Sequence, residues 1–119
     1  MDATDRRALT IMLKGKVRLG AEAVNEFAEA MRKDPMHTLI WADGVAASIA
    51  DAKVAADALT AFEGVNLKHA QEWARKEALR YTRNQANIST SPFRNAMDRL
   101  VGVAWAEMLE TLEDWKEDP

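Results

Sequence analysis

Residues Ser91–Trp115 read SPFRNAMDRLVGVAWAEMLETLEDW, and the way this stretch folds decides how the rest of the chain is read. Ser91 and Pro92 open it. A serine oxygen accepts an orphan backbone N–H at a helix start, and proline at the first helical position gives up a donor that had no partner. Apolar residues then recur at Phe93, Met97, Leu100, Val101, Ala104, Met108, Leu112 and Trp115, a helical period. Between Leu100 and Leu109 only Glu107 is charged. A helix that is apolar nearly all round is buried on several sides. The expectation is therefore an all-α fold, a compact single-domain bundle of four to five helices over residues 1–119, with the C-terminal helix central.

Upstream, residues 5–33 carry Leu9, Leu13, Val17, Gly20, Val24, Phe27 and Met31 at steps of three and four, one side of a helix. Gly15 and Gly20 complicate this, since each costs about 1 kcal/mol relative to alanine inside a helix. TIMLKGKVRLG also alternates like a short hairpin around Lys14-Gly15-Lys16. Because the stripe passes through both glycines, the spacing predicts a helix, broken or bent near Gly15–Gly20. Asp34-Pro35 predicts a stop and restart, with Asp34 the cap and Pro35 the first residue of the next helix.

From Met36 to Phe62 the chain is rich in alanine, with Val45, Ile49, Ala52, Ala56 and Leu59 on one face. Asp43-Gly44 predicts a division into helices 36–42 and 44–63, and Gly64 sits where a left-handed C-terminal cap is wanted. Asn66 is placed to cap a helix from Leu67 to about Arg83, with Leu67, Ala70, Ala74, Ala78 and Tyr81 inward. The run Asn84–Thr90, NQANIST, has neither period nor charge and reads as a loop.

The composition, 48% hydrophobic and 29% charged, is that of a globular protein and not of a disordered chain. The absence of cysteine excludes disulfides and thiolate metal sites and fits a reducing compartment. MDATDRRALT has acids before its arginines and no apolar signal-peptide core, and no stretch reaches the ~18 apolar residues that span a bilayer. A cytoplasmic chain without a membrane partner is the expectation, and Asn87-Ile88-Ser89 is then an accidental glycosylation match.

Catalytic constellations are thin. His69 and Glu72 lie one turn apart, but a di-iron bundle needs several such pairs on facing helices. His37 falls in a first helical turn and carries no signal of its own. No glycine-rich phosphate loop, nucleophile elbow or paired-histidine zinc motif occurs. Neither enzyme activity, metal nor cofactor is expected. Gly44-Val45 and Leu19-Gly20 each resemble the turn of a helix-turn-helix. Their flanks, Asp43, Asp51 and Asp57 in one case and Glu22, Glu26 and Glu29 in the other, carry the wrong sign for phosphate.

Charge is segregated along the chain. Residues 65–84 hold five basic and two acidic residues, whereas 107–119 hold six acidic and one basic. On the predicted helix 67–83, Lys76, Arg80 and Arg83 step along one ridge, with Lys68 and Arg75 beside it and Trp73 on its flank. The following loop supplies Asn84, Asn87 and Ser89, and Arg94 lies in the first turn of the last helix. Guanidiniums beside free N–H groups favour anions. Trp105 belongs to the core, while Trp41, Trp73 and Trp115 lie near element ends or beside charges, and tryptophan and arginine are enriched at interface centres.

These residues predict a small non-catalytic protein-interaction module, an adaptor, regulator, inhibitor or assembly subunit. Its partner is another protein with an acidic surface, and a homo-oligomer is also compatible. The alternative is a nucleic-acid-binding protein touching phosphates through the same ridge. The bland alternative is that the arginines pair with the acids of 34–64 or 107–118 within the fold.

Overall fold

The computed structural model describes residues 1–84 and 91–117. Four α-helices account for nearly all of them: α1 (Ala3–Lys33), α2 (Thr38–Gly64), α3 (Leu67–Asn84) and α4 (Pro92–Glu113). A single 3₁₀ turn, Pro35–His37, joins the first two, and no strand occurs among the described residues. The all-helical class and bundle-like packing are thus as expected. The molecule measures 54 × 34 × 20 Å, its short dimension about two helix layers deep.

α1, α3 and α4 start where a side chain satisfies free N–H groups, whereas α2 starts without a side-chain cap. Asp2 Oδ1 accepts from Asp5 N–H at 2.8 Å, Asn66 Oδ1 from His69 N–H at 2.8 Å, and Ser91 Oγ from Arg94 N–H at 3.3 Å. Asp34 departs from the expected pattern, because its carboxylate makes no cap bond to the backbone. It accepts instead from His37 Nδ1 at 2.8 Å and Trp41 Nε1 at 3.3 Å, which ties the corner between α1 and α2 together.

Both long helices run unbroken, α1 through Gly15 and Gly20 and α2 through Asp43-Gly44. Packing accounts for two of these glycines. A Cβ on Gly20 would stand 2.8 Å from Ala52 Cβ and 3.1 Å from the Ser48 carbonyl oxygen, so α1 and α2 approach too closely there for any side chain. On Gly44 it would meet the Phe27 ring at 2.7 Å. Gly64 is simply the last residue of α2. No glycine among the described residues has a positive φ, so the left-handed cap is not used.

α2 is the helix against which every other α-helix packs. α1 packs on α2 alone among them, and α3 and α4 pack on each other as well as on α2. This corrects the expectation that α4 is central. α4 does bury Val101, Ala104, Trp105, Met108 and Leu112, but Val103 is half exposed and Leu100 only half-buried. The reason lies in alanine, whose small side chain lets three helices approach α2 from three directions.

The same property misplaced α2's buried face. Ser48, Ala50, Val54, Ala55, Ala58, Ala61 and Phe62 are buried, while Ile49, expected inside, is 45% exposed. Val45, Ala52, Ala56 and Leu59 are half-buried. On α3 the expected face holds: Leu67, Ala70 and Ala74 are buried, with Ala78 and Tyr81 half-buried. α3 and α4 are further locked at one end. Glu117 accepts from Leu67 N–H at 2.8 Å, and Gln71 Nε2 donates to the carbonyls of Leu112 (2.9 Å) and Trp115 (3.2 Å).

Candidate functional site

The candidate surface is the outer side of α3, set by helical geometry: with Leu67, Ala70 and Ala74 turned inward, the cations three and four residues apart must face out. Lys68, Arg75, Lys76, Arg80 and Arg83 are all exposed. Arg75 Nη2 lies 3.3 Å from Glu113 Oε1 of α4, so this one arginine follows the intramolecular-pairing alternative. Arg80 lies 3.4 Å from Glu77 one turn back, with its guanidinium 5.5 Å from the centre of the Tyr81 ring. For Lys76 and Arg83 no ion pair is formed among the described residues.

Between these cations stands Leu79, 51% exposed. Lys76, Leu79, Arg80 and Arg83 line a crevice of about 280 Å³. One turn toward the helix start, His69, Glu72, Trp73, Lys76 and Glu77 line a second, of about 480 Å³. Trp73 is half-buried, packed on the core and edge-on to His69 with ring centres 6.1 Å apart. Its flank position was foreseen, its share in the core was not. Lys53 of α2 lies within electrostatic reach of Glu77 and Tyr81 of α3. Its ammonium is held above the ordinary lysine value by the hydrogen bond to Asp57 Oδ2 at 2.8 Å.

Of the other expected site residues, Arg94 is exposed in the first turn of α4, and Asn84 is the last residue of α3. Asn87 and Ser89, with most of the loop that was to join Arg83 to Arg94, lie outside the described residues. No group of three or more His, Asp or Glu side chains placed to hold a metal occurs among the described residues, and His69 with Glu72 stands alone. No described helix is long and apolar enough to cross a membrane.

Three surface features escaped the sequence. Leu79 is the first; it lies on the ridge itself, where its helical position already places it beside Lys76 and Arg83. The second is the α1–α2 corner, where Met36, Leu39 and Ile40 are exposed. The third is a groove of about 280 Å³ between α1 and α4, lined by Leu19, Gly20, Ser48, Val54, Ala104 and Met108 among others. There the backbones of α1 and α4 stand farther apart than those of the helix pairs that pack on α2.

No family model, no curated protein and no solved structure matches this chain.

Proposed function

We propose that the chain is a non-catalytic protein-interaction module that docks through the outer face of α3 onto an acidic protein surface. The observation that carries this is the half-exposed Leu79 set among Lys76, Arg80 and Arg83, with Lys76 and Arg83 unpaired among the described residues. An apolar side chain ringed by cations suits a partner that supplies an apolar contact inside a rim of carboxylates, where complementary charge sets orientation and encounter rate. A phosphate backbone has use for the cations but little for the leucine, which ranks nucleic acid second. Reading, adapting or inhibiting a larger partner all remain within this proposal.

The test is a set of charge reversals, Lys76→Glu, Arg80→Glu and Arg83→Glu together, with the fold checked by circular dichroism and melting temperature. Used as bait in native lysate, the wild-type chain is expected to retain a partner that the triple variant loses. A partner held equally by both would place the interface elsewhere. If the wild-type chain holds duplex or single-stranded nucleic acid at micromolar affinity near 150 mM salt, with affinity falling steeply against log salt, the nucleic-acid alternative takes over.

A further inference from the structure

We propose that the groove between α1 and α4 is a binding site for a compact organic cation, an apolar body carrying one ammonium group. Gly20 of α1, Val54 of α2 and Ala104 and Met108 of α4 line it and are all buried, so its floor is a part of the core left open. Its volume of about 280 Å³ stands at the small end of ligand pockets, which run from about 300 to 1,000 Å³. A small apolar body there covers Val54, Ala104, Met108 and the exposed Leu19.

Ser48 is the sign that a polar group belongs in the groove. At 8% exposure it is the one buried polar residue among the described ones, and it lines the groove. Thr60, Thr82 and Thr111, also on helices, each donate to the carbonyl four residues back, at 2.9, 2.8 and 3.0 Å. Ser48 makes no such bond, and no other among the described residues. The one unpartnered side-chain polar atom sealed from solvent among those residues is Trp105 Nε1. The Ser48 hydroxyl is therefore open, and the groove is what it opens on. A hydroxyl so enclosed is ordinarily hydrogen-bonded, and here the occupant of the groove has to supply the partner.

The charges give the sign of that occupant. Asp51 of α2 and Glu107 of α4 stand at the groove on two different helices, and neither forms an ion pair among the described residues. Ser48 and Asp51 are neighbours one turn apart on the same face of α2. Lys16 of α1 is the one lining cation among the described residues and is also unpaired there, so two carboxylates stand against one ammonium. Thr111 completes the polar lining, its hydroxyl already bonded to the Glu107 carbonyl. Charges just outside leave the sign unchanged. Arg18 pairs with Glu22 and Lys53 with Asp57, while Glu26 and Glu110 are exposed acids. An ammonium carries three donors, and Ser48, Asp51 and Glu107 are acceptors. No aromatic ring lines the groove among the described residues, so carboxylates rather than ring faces select the cation. None of the described residues of α3 lines this groove, which makes the site independent of the proposed function.

Hexylamine, hexanol and hexanoate share one apolar body and differ in charge at neutral pH, which makes them the probes. Each is titrated into the isotopically labelled chain and followed by the amide resonances of Ser48, Asp51, Ala104 and Glu107. Hexylamine is expected to bind at about 1 mM, as suits so small a ligand, at least about fivefold more tightly than hexanol, with hexanoate weaker still. The double variant Asp51→Asn, Glu107→Gln alters two exposed, unpaired side chains and is expected to keep its fold by circular dichroism. It should bring hexylamine down to the affinity of hexanol and leave hexanol where it was. No shift of these resonances up to about 20 mM hexylamine overturns the proposal, as does equal binding of hexanol or hexanoate. So does a double variant that keeps the preference for the amine. Amine binding that appears only with Lys16→Gln assigns the carboxylates to the chain's own lysine and overturns it as well.

Discussion

Gly15 and Gly20 lie in the same helix and carry the same propensity penalty, yet they call for opposite substitution effects. A Cβ at Gly15 meets nothing within 4 Å. Gly15→Ala should therefore stabilise the chain by roughly 0.5–1 kcal/mol, the ordinary gain inside a helix. At Gly20 the new methyl would press on Ala52 and the Ser48 carbonyl. Backbone atoms cannot step aside as a flexible side chain can, so Gly20→Ala should cost about 1–3 kcal/mol. Paired thermal melts decide this, and equal shifts of one sign would refute the close approach of α1 to α2. Trp105 offers a second contrast. It is 1% exposed, and its Nε1–H has no partner among the described residues. Trp105→Phe keeps much of the ring and removes a buried donor whose desolvation costs about 1–3 kcal/mol. It should stay within about 1.5 kcal/mol of wild type, against about 3–5 for Trp105→Ala. Urea denaturation followed by circular dichroism separates the two, and similar losses would mean the indole N–H is satisfied in solution.

At the scale of elements, the join between the start of α3 and the end of α4 is held by Glu117 beyond the last helical turn, by Gln71 and by one ion pair. Glu117 caps Leu67 N–H at 2.8 Å, and Arg75 reaches Glu113 at 3.3 Å. Both Arg75 and Glu113 are half exposed, so that ion pair contributes little, and the cap and the Gln71 bonds do more. Glu117→Ala should lower stability by about 0.5–2 kcal/mol, as other N-terminal cap losses do. An unchanged urea midpoint would show that water replaces the carboxylate at no cost. Within α4, Met108→Ala and Leu112→Ala should each cost about 2–5 kcal/mol. Leu100→Ala should cost less, because that side chain is half-buried. Reversal of that order would restore α4 to the central place the sequence suggested.

Across the whole molecule, burial is uneven along the α1–α2 hairpin. Leu9, Leu13 and Gly20 of α1 are buried, whereas Val24, Phe27 and Met31 are half-buried. In α2, fully buried side chains run from Ser48 to Phe62 and none lies before Ser48. Opening free energy follows buried apolar contact. Amide exchange should therefore be slowest near Leu13 and Val54 and should quicken toward the corner at Pro35. Uniform protection along both helices would contradict this gradient. The cationic face of α3 belongs to the same scale. Lys76 and Arg83 make no ion pair among the described residues, so reversing them should leave the melting temperature within a few degrees while changing what the molecule attracts.

The periodicity of the chain was enough to determine an all-helical protein, the caps at Asn66 and Ser91, the buried face of α3 and the outward cations on its other side. Each follows from local chemistry: a hydroxyl or amide next to free N–H groups, or apolar residues recurring at 3.6. α2 could not be read in that way. Alanine packs on any side, and where it dominates, the larger Val45 and Ile49 draw the apparent stripe away from the face that is in fact covered. Which helix occupies the centre depends on how closely backbones approach. That distance is set at contacts such as Gly20 on Ala52, between residues far apart in the chain. The exposure of Leu79 and of Met36, Leu39 and Ile40 has the same origin. A leucine in a helical pattern looks alike whether or not a neighbour covers it, and only the tertiary arrangement leaves these four without one.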